Sequence, residues 1–207
     1  MIRRTRMTAS VASALLTMTM SAALIAQGPP NATEPGAAQL ALLNYPAKGG
    51  AKLTVTTPAF QPGGDIPFVN TQYQGNVFPG LAWGGAPSST KSFAVILQDG
   101  DAMVRGAPIL HWTMVNIPAA VTRLAPGMKD PPKNAQFGPN IRGTAQPYMG
   151  PRTPAGPKHR YHFQVFALDR MIPTESSLTY DQLTAAMKDH VVASGEVIGL
   201  GQVAPAK

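Results

Sequence analysis

RYHFQVFALD, from Arg160 to Asp169, decides the fold class. Tyr161, Phe163 and Val165 alternate with their neighbours before Phe166 joins them, and aromatic and β-branched residues in this pattern specify a strand. Working outward, SFAVILQ from Ser92 to Gln98 is a largely apolar run of strand length, and LHWTMVNI from Leu110 to Ile117 alternates until Pro118 stops it. β-Branched residues cluster from Leu53 to Thr57 in a first strand, and EVIGLGQV from Glu196 to Val203 forms a last one. Ile66 to Gln74 and the turn-rich GNVFPGLAWGGAP lie between the early strands. One helix is predicted: Thr179 and Gln182 make a capping box, and Leu183, Ala186, Met187 and His190 or Val191 recur at helical spacing until Ser194 and Gly195 end it. Arg123 to Lys158 is dense in proline and glycine and reads as one long loop, a length usually retained for function.

Composition agrees with a mainly β chain. With 20 Gly and 21 Pro among 207 residues the backbone must turn often, leaving little room for long helices. Charged residues are 13% of the chain, about half the usual share of roughly 25%, which excludes a charge-driven disordered chain. No cysteine is present, so disulfides, thiolate metal sites and a cysteine nucleophile are all excluded. The length suits one domain.

Residues 1–26 have the layout of a secretory signal peptide: basic Arg3, Arg4 and Arg6, an apolar stretch from Val11 to Ile25, then small residues around Ala26. The stretch is shorter than the roughly 20 residues needed to span a bilayer, so no stable membrane span is expected after cleavage. Cleavage after Ala26, with Ala23 as the alternative, predicts a periplasmic or secreted protein; without a cysteine it is not a lipoprotein. Losing the three arginines leaves 14 basic residues against 10 acidic, a net charge of +4 rather than +7. The remaining basic residues lack interleaved aromatics, which argues against nucleic acid as a partner. Residues 27–50, rich in Ala, Pro, Gly and Asn, read as a flexible linker leading into a domain over 51–207.

Four segments in order carry a family resemblance over about residues 51–203. They are GNVFPGLAW from Gly75 to Trp83; Asp99, Gly100, Asp101 and Ala102; His111 and Trp112 leading into Val115, Asn116, Ile117 and Pro118; and Tyr148, Gly150 and Pro151 followed by His159, Arg160 and Tyr161. Together they resemble the phosphatidylethanolamine-binding protein family, in its bacterial branch related to Raf kinase inhibitor protein. Phe78 stands where the family commonly has serine, Gly100 and Met103 where it has prolines, and Arg152 where animal members carry a second proline.

The resemblance implies a single domain with a large antiparallel or mixed central sheet, a smaller second sheet and one or two short helices. It implies that Asp99, Asp101, His111, His159 and Tyr161 converge on one pocket whose wall is shaped by Gly150 and Pro151, with Arg160 and Trp83 as structural support. Such a pocket suits a small anion or phosphorylated headgroup held without catalysis and without cofactor or metal. An imidazole kept charged by Asp99 or Asp101 would supply a cation, provided those acids face the histidines or backbone amides rather than the ligand. Bacterial relatives suggest a homodimer.

Other readings of the same residues stay open. Asp-Gly-Asp after a strand is also a turn whose side chains bond their own backbone, and His111 beside Trp112 is also the pattern of a core histidine. Arg160 is expected to pair with an acid such as Asp101 or Asp169. His162, facing away from Tyr161, and His190, on the helix, carry no functional claim. An inhibitory module for a protein partner such as a protease is one alternative, and a metal-dependent hydrolase is another. The second has no His-Glu-x-x-His spacing and no Gly-x-Ser-x-Gly elbow behind it.

Overall fold

A strand that is apolar throughout has to be covered on both faces, and SFAVILQ is. In chain order the strands are β1 (Thr54–Thr56), β2 (Leu81–Gly84), β3 (Ser92–Val104), β4 (Ala107–Pro118), β5 (Arg123–Leu124), β6 (Gln136–Phe137), β7 (His159–Leu168) and β8 (Val191–Gly201). The helices are α1 (Ala41–Asn44) and α2 (Tyr180–Met187). This computed structural model describes residues 30–173 and 178–203. The expected signal peptide therefore lies outside the described residues.

SFAVILQ begins β3, at the centre of a five-stranded sheet ordered β6-β4-β3-β7-β8, antiparallel throughout. One face of it packs on a three-stranded sheet ordered β1-β2-β5. Between the two sheets lie Phe93, Val95 and Leu97 of β3, Trp112 and Met114 of β4, and Phe163 and Val165 of β7, against Val55, Leu81, Trp83 and Leu124. On the other face Ala94, Ile96, Phe166 and Leu168 pack against Ala41, Leu183 and Met187 of the two helices. Alternation along β3 and β7 thus feeds two cores. The mainly β, two-sheet architecture is the one expected.

Several boundaries differ from the expectations. The capping box forms, with Gln182 N–H donating to the Thr179 hydroxyl, but the helix ends at Met187. Asp189 takes a left-handed conformation (φ 63°), one an aspartate tolerates. The β-branched pair Val191 and Val192 then starts a strand that pairs with β7 from Leu168 to His159. Val191 is buried as helical spacing suggested, though as part of the sheet, and His190 sits in the turn rather than on the helix. The 123–158 loop contributes two short strands, and Leu81–Gly84 forms a strand inside the turn-rich stretch.

The expected linker is docked on the large sheet where it is described. Leu40 and Ala41 are buried. The amides of Ala41 and Leu42 donate to the side-chain oxygens of Gln98 (2.9 Å) and Gln164 (2.6 Å), and Gly36 N–H donates to the Gly100 carbonyl (2.8 Å). Ala41 joins the core on this face with Leu42, Tyr45 and Ala47 packed against it, and polar side chains projecting from the sheet fix the backbone, a pattern that local composition does not reveal.

Candidate functional site

The site lies at the end of the large sheet where β3 runs out and β4 and β7 begin. Asp99 of β3 stands directly across from Tyr161 of β7, so the two side chains share a face. His159, two residues earlier on β7, shares that face too. Two interruptions in the β3–β4 ladder complete the constellation. Leu97 is opposite Trp112 and Gln98 opposite Leu110, which leaves His111 as the extra residue of a β-bulge. Asp99 is opposite Ile109 and Met103 opposite Pro108, so Gly100, Asp101 and Ala102 leave the ladder together. Bulges re-aim side chains, and these two turn His111 and Asp101 toward the β7 groups.

Asp99 is almost fully buried and uses both carboxylate oxygens. Its Oδ1 accepts the backbone N–H groups of Asp101 (3.0 Å) and Ala102 (3.1 Å), while His159 Nδ1 donates to Oδ2 at 2.9 Å. The turn reading of Asp-Gly-Asp is therefore realised on one oxygen, while the other bonds His159. The hydrogen bond that His159 donates to Asp99 raises the His159 pKa above its ordinary value, against partial burial, with further help from the charges of Asp99 and Asp101. Asp101 Oδ2 accepts the Arg160 backbone N–H at 2.7 Å and lies 3.4 Å from Arg160 Nε. Burial pushes the Asp101 carboxyl above the usual range while Arg160 draws it back. Asp101 Oδ1 is buried without a hydrogen-bond partner among the described residues.

His111 differs from His159. Its Nδ1 lies 3.2 Å from the Met149 carbonyl and 3.1 Å from the Gly150 carbonyl. Carbonyls only accept, so Nδ1 carries the hydrogen and Nε2 of a neutral ring is left as an acceptor. Burial holds the His111 pKa below its ordinary value, outweighing the nearby Asp99 charge. Its ring meets that of Tyr161 edge-on, with centroids 5.1 Å apart. Of the two imidazoles, His159 is therefore the one that a carboxylate holds toward the charged form, and His111 is not. The Tyr161 hydroxyl accepts the Arg152 backbone N–H and shares a hydrogen with the Thr153 hydroxyl, both at 3.3 Å.

The wall segment is clasped by side chains from the 70–76 stretch. Gly150 N–H donates to Asn76 Oδ1 (2.7 Å), Asn76 Nδ2 donates to the Tyr148 carbonyl (2.8 Å), and Gln72 Nε2 donates to the Gly150 carbonyl (2.7 Å). A Cβ on Gly150 would collide with the Asn70 carbonyl oxygen, so only glycine fits. Pro151 is buried beside it, its carbonyl accepting from Gln72 N–H.

Asp99, Asp101, His111, Gly150, Pro151, His159 and Tyr161 are therefore gathered in one region, with Arg160 paired to Asp101 behind it. Trp83 is not part of it: its ring packs on Phe93 at 5.2 Å, at the far end of β3. Asn76 and Gln72 escaped the sequence reading. Asn76 follows a glycine and itself adopts a positive φ, and its turn chemistry hid its bonds to a distant loop. Glu34, in the expected linker, also went unrecognised: its carboxylate contacts Arg160 Nη1 (3.2 Å) and His162 Nε2 (2.6 Å). No three of His, Cys, Asp and Glu are grouped as metal ligands among the described residues, and no helix there is long and apolar enough to cross a membrane.

The sequence profile of the phosphatidylethanolamine-binding protein family matches residues 56–202. A UPF0098 protein of Methanothermobacter thermautotrophicus is 35% identical over 151 residues, covering 72% of this chain and 97% of that protein. UPF0098 protein YbcL of Escherichia coli is 39% identical over 130 residues, covering 59% of this chain and 70% of YbcL. The crystal structure of E. coli YbcL, described as a new member of the mammalian family of the same kind, superposes with a TM-score of 0.68 at 31% identity, covering 74% of this chain and 100% of that one.

Proposed function

Because the chain belongs to the phosphatidylethanolamine-binding protein family, we propose that it is an exported protein that binds a small anion or phosphorylated headgroup at the Asp99–His111–His159–Tyr161 constellation, without chemistry on it. The observation that carries the reading is the division of labour between the two imidazoles. Asp99 stabilises His159 as a cation and donor, while His111, its Nδ1 committed to the wall carbonyls, presents an acceptor. A ligand with a phosphoryl group at one end and a hydrogen-bond donor at the other would satisfy both. The acids support this reading because their bonded oxygens face His159, Arg160 and backbone amides.

The test is thermal denaturation of the purified protein with millimolar inorganic phosphate and phosphoethanolamine. The melting temperature is expected to rise, and the rise to be lost in His111→Ala and His159→Ala. No shift with either compound in the parent protein would overturn the proposal.

A further inference from the structure

Residues 100–102 adjoin the constellation without the ordinary support of a sheet. They have left the β3–β4 ladder, and the β3–β7 ladder ends at the Asp99–Tyr161 pair. Their position nevertheless sets the site, because the amides of Asp101 and Ala102 occupy Asp99 Oδ1 while Oδ2 bonds His159.

The loop is held from its other side by the segment before α1, which precedes the family-matched residues 56–202. Gly36 N–H donates to the Gly100 carbonyl at 2.8 Å. Arg160 Nη1 donates to Glu34 Oε2 at 3.2 Å and Nη2 to the Asn31 carbonyl, so both outer nitrogens of that guanidinium are bonded to the segment. Its Nε is left 3.4 Å from Asp101 Oδ2, the same oxygen that accepts the Arg160 backbone N–H. Glu34 Oε1 meets His162 Nε2 at 2.6 Å, and the glutamate side chain is only 13% exposed. Its fit against the loop is so close that a Cβ on Gly100 would land on the Glu34 carboxylate. Arg160 and His162 alternate with His159 and Tyr161 along β7, so Glu34 grips the sheet from the face opposite the pocket groups. The 100–102 loop joins the two faces.

We infer that Glu34 is a positioning residue of the ligand site: seated against Gly100 and bonded to Arg160 and His162, it fixes the 100–102 loop that orients the Asp99 carboxylate toward His159. Loss of the glutamate frees the guanidinium that backs Asp101. The amides of residues 101 and 102 then wander from Asp99 Oδ1, and the carboxylate no longer holds His159 in place for an anion. The effect is transmitted through packed and hydrogen-bonded groups rather than by contact with the ligand.

This inference rests on the pocket reading above, and the experiment separates the two. The full purified chain is titrated calorimetrically with inorganic phosphate and with phosphoethanolamine, as the parent, Glu34→Ala, Glu34→Gln, Gly100→Ala and the Glu34→Ala/Gly100→Ala double variant. NMR titration follows the His159 imidazole in each. Glu34→Ala is expected to weaken binding about tenfold, within the range for a residue coupled to a site at second hand. Glu34→Gln, which keeps the shape and one acceptor, should recover part of that loss. Gly100→Ala retains the glutamate but displaces its carboxylate, so it should reproduce the loss and, like Glu34→Ala, lower the His159 pKa. The double variant should be no worse than either single change, because the added methyl then fills space already vacated. Should Glu34→Ala not fold, the Glu34→Gln and Gly100→Ala proteins carry the same comparison. Parent-like binding and an unmoved His159 titration in the Glu34 and Gly100 variants, with binding lost in His159→Ala, would overturn the role of Glu34 and leave the pocket reading standing. Additive losses in the double variant would overturn it as well. If the parent binds neither compound, both readings fall.

Discussion

Asp99 and His159, 60 positions apart in the chain, meet through a 2.9 Å hydrogen bond at the end of the central sheet. Asp99 reaches the bond from near the end of the buried stretch of β3, and His159 is the first residue of β7. The bond therefore depends on the antiparallel register that puts Asp99 opposite Tyr161.

Asp99→Asn removes the charged acceptor but keeps the shape. The His159 pKa is expected to fall, because the hydrogen bond to Asp99 is the largest of its causes, and NMR titration of the imidazole reads this directly. A group whose pKa is raised on folding contributes stability that is full below its unfolded value near 6.5 and is lost as pH rises through the folded value. Asp99→Asn should therefore cost about 2 kcal/mol at pH 5 to 6 and less at pH 9, in urea unfolding. The residual cost at high pH reports the two amides that Oδ1 accepts. An equal cost at all pH values would show that His159 is not charged in the folded state.

The sequence was legible where period and apolar runs decide the outcome. SFAVILQ, LHWTMVNI and RYHFQVFALD became the three adjacent central strands because each buries side chains on both faces. The motif residues Asp99, His111, His159 and Tyr161 came together because those strands are neighbours. The bulges were not legible. That His111 is the extra residue between Trp112 and Leu110, and that residues 100–102 leave the ladder, depends on register against a partner strand, which no local pattern encodes. The docked segment before residue 50 was missed for a similar reason. Its anchors are Gln98, Gln164 and His162, polar residues inside apolar strands, and its own composition resembles a linker. The end of α2 was missed because Val191 fits a helical and a strand pattern equally.

Gly150→Ala tests the wall. The added methyl meets the Asn70 carbonyl oxygen and lies 2.9 Å from Asn76 Oδ1, groups that are themselves fixed, so the segment must shift. A loss of roughly 1–3 kcal/mol is expected, the usual range for overpacking. The carbonyls that orient His111 move with the segment, so the phosphoethanolamine-induced rise in melting temperature should shrink as well. Thermal denaturation with and without the compound measures both, and an unshifted, fully ligand-responsive variant would refute the part assigned to the wall.

The N-terminal segment offers a prediction about processing. If residues 1–26 are removed on export, the mature chain begins at Gln27, shortly before Asn31 and Glu34, which bind Arg160. Intact-mass measurement of protein recovered from the periplasm or medium should give the chain without its first 26 residues. A full-length mass in that fraction would contradict cleavage.

His162 governs how that segment stays docked. Its two ring nitrogens meet Glu34 Oε1 at 2.6 Å and Glu196 Oε2 at 2.8 Å. A neutral imidazole has one N–H, so two carboxylate partners are served together only by the cation. Burial opposes that charge, but Glu196 and Glu34 outweigh it and raise the pKa above the ordinary value. Arg160, bonded to the same Glu34 and to Asp101, is the other cation facing the cluster. With a raised pKa the stabilisation is present below about pH 6.5 and fades as pH rises through the folded value. Hydrogen exchange at the Ala41 and Leu42 amides should accordingly speed up, beyond the intrinsic rate, from pH 6 to pH 9. Glu34→Gln should raise their exchange already at pH 6 and flatten the pH dependence. Protection of those amides that is indifferent to pH in the parent and unaltered by Glu34→Gln would mean that the glutamine contacts alone hold the segment down.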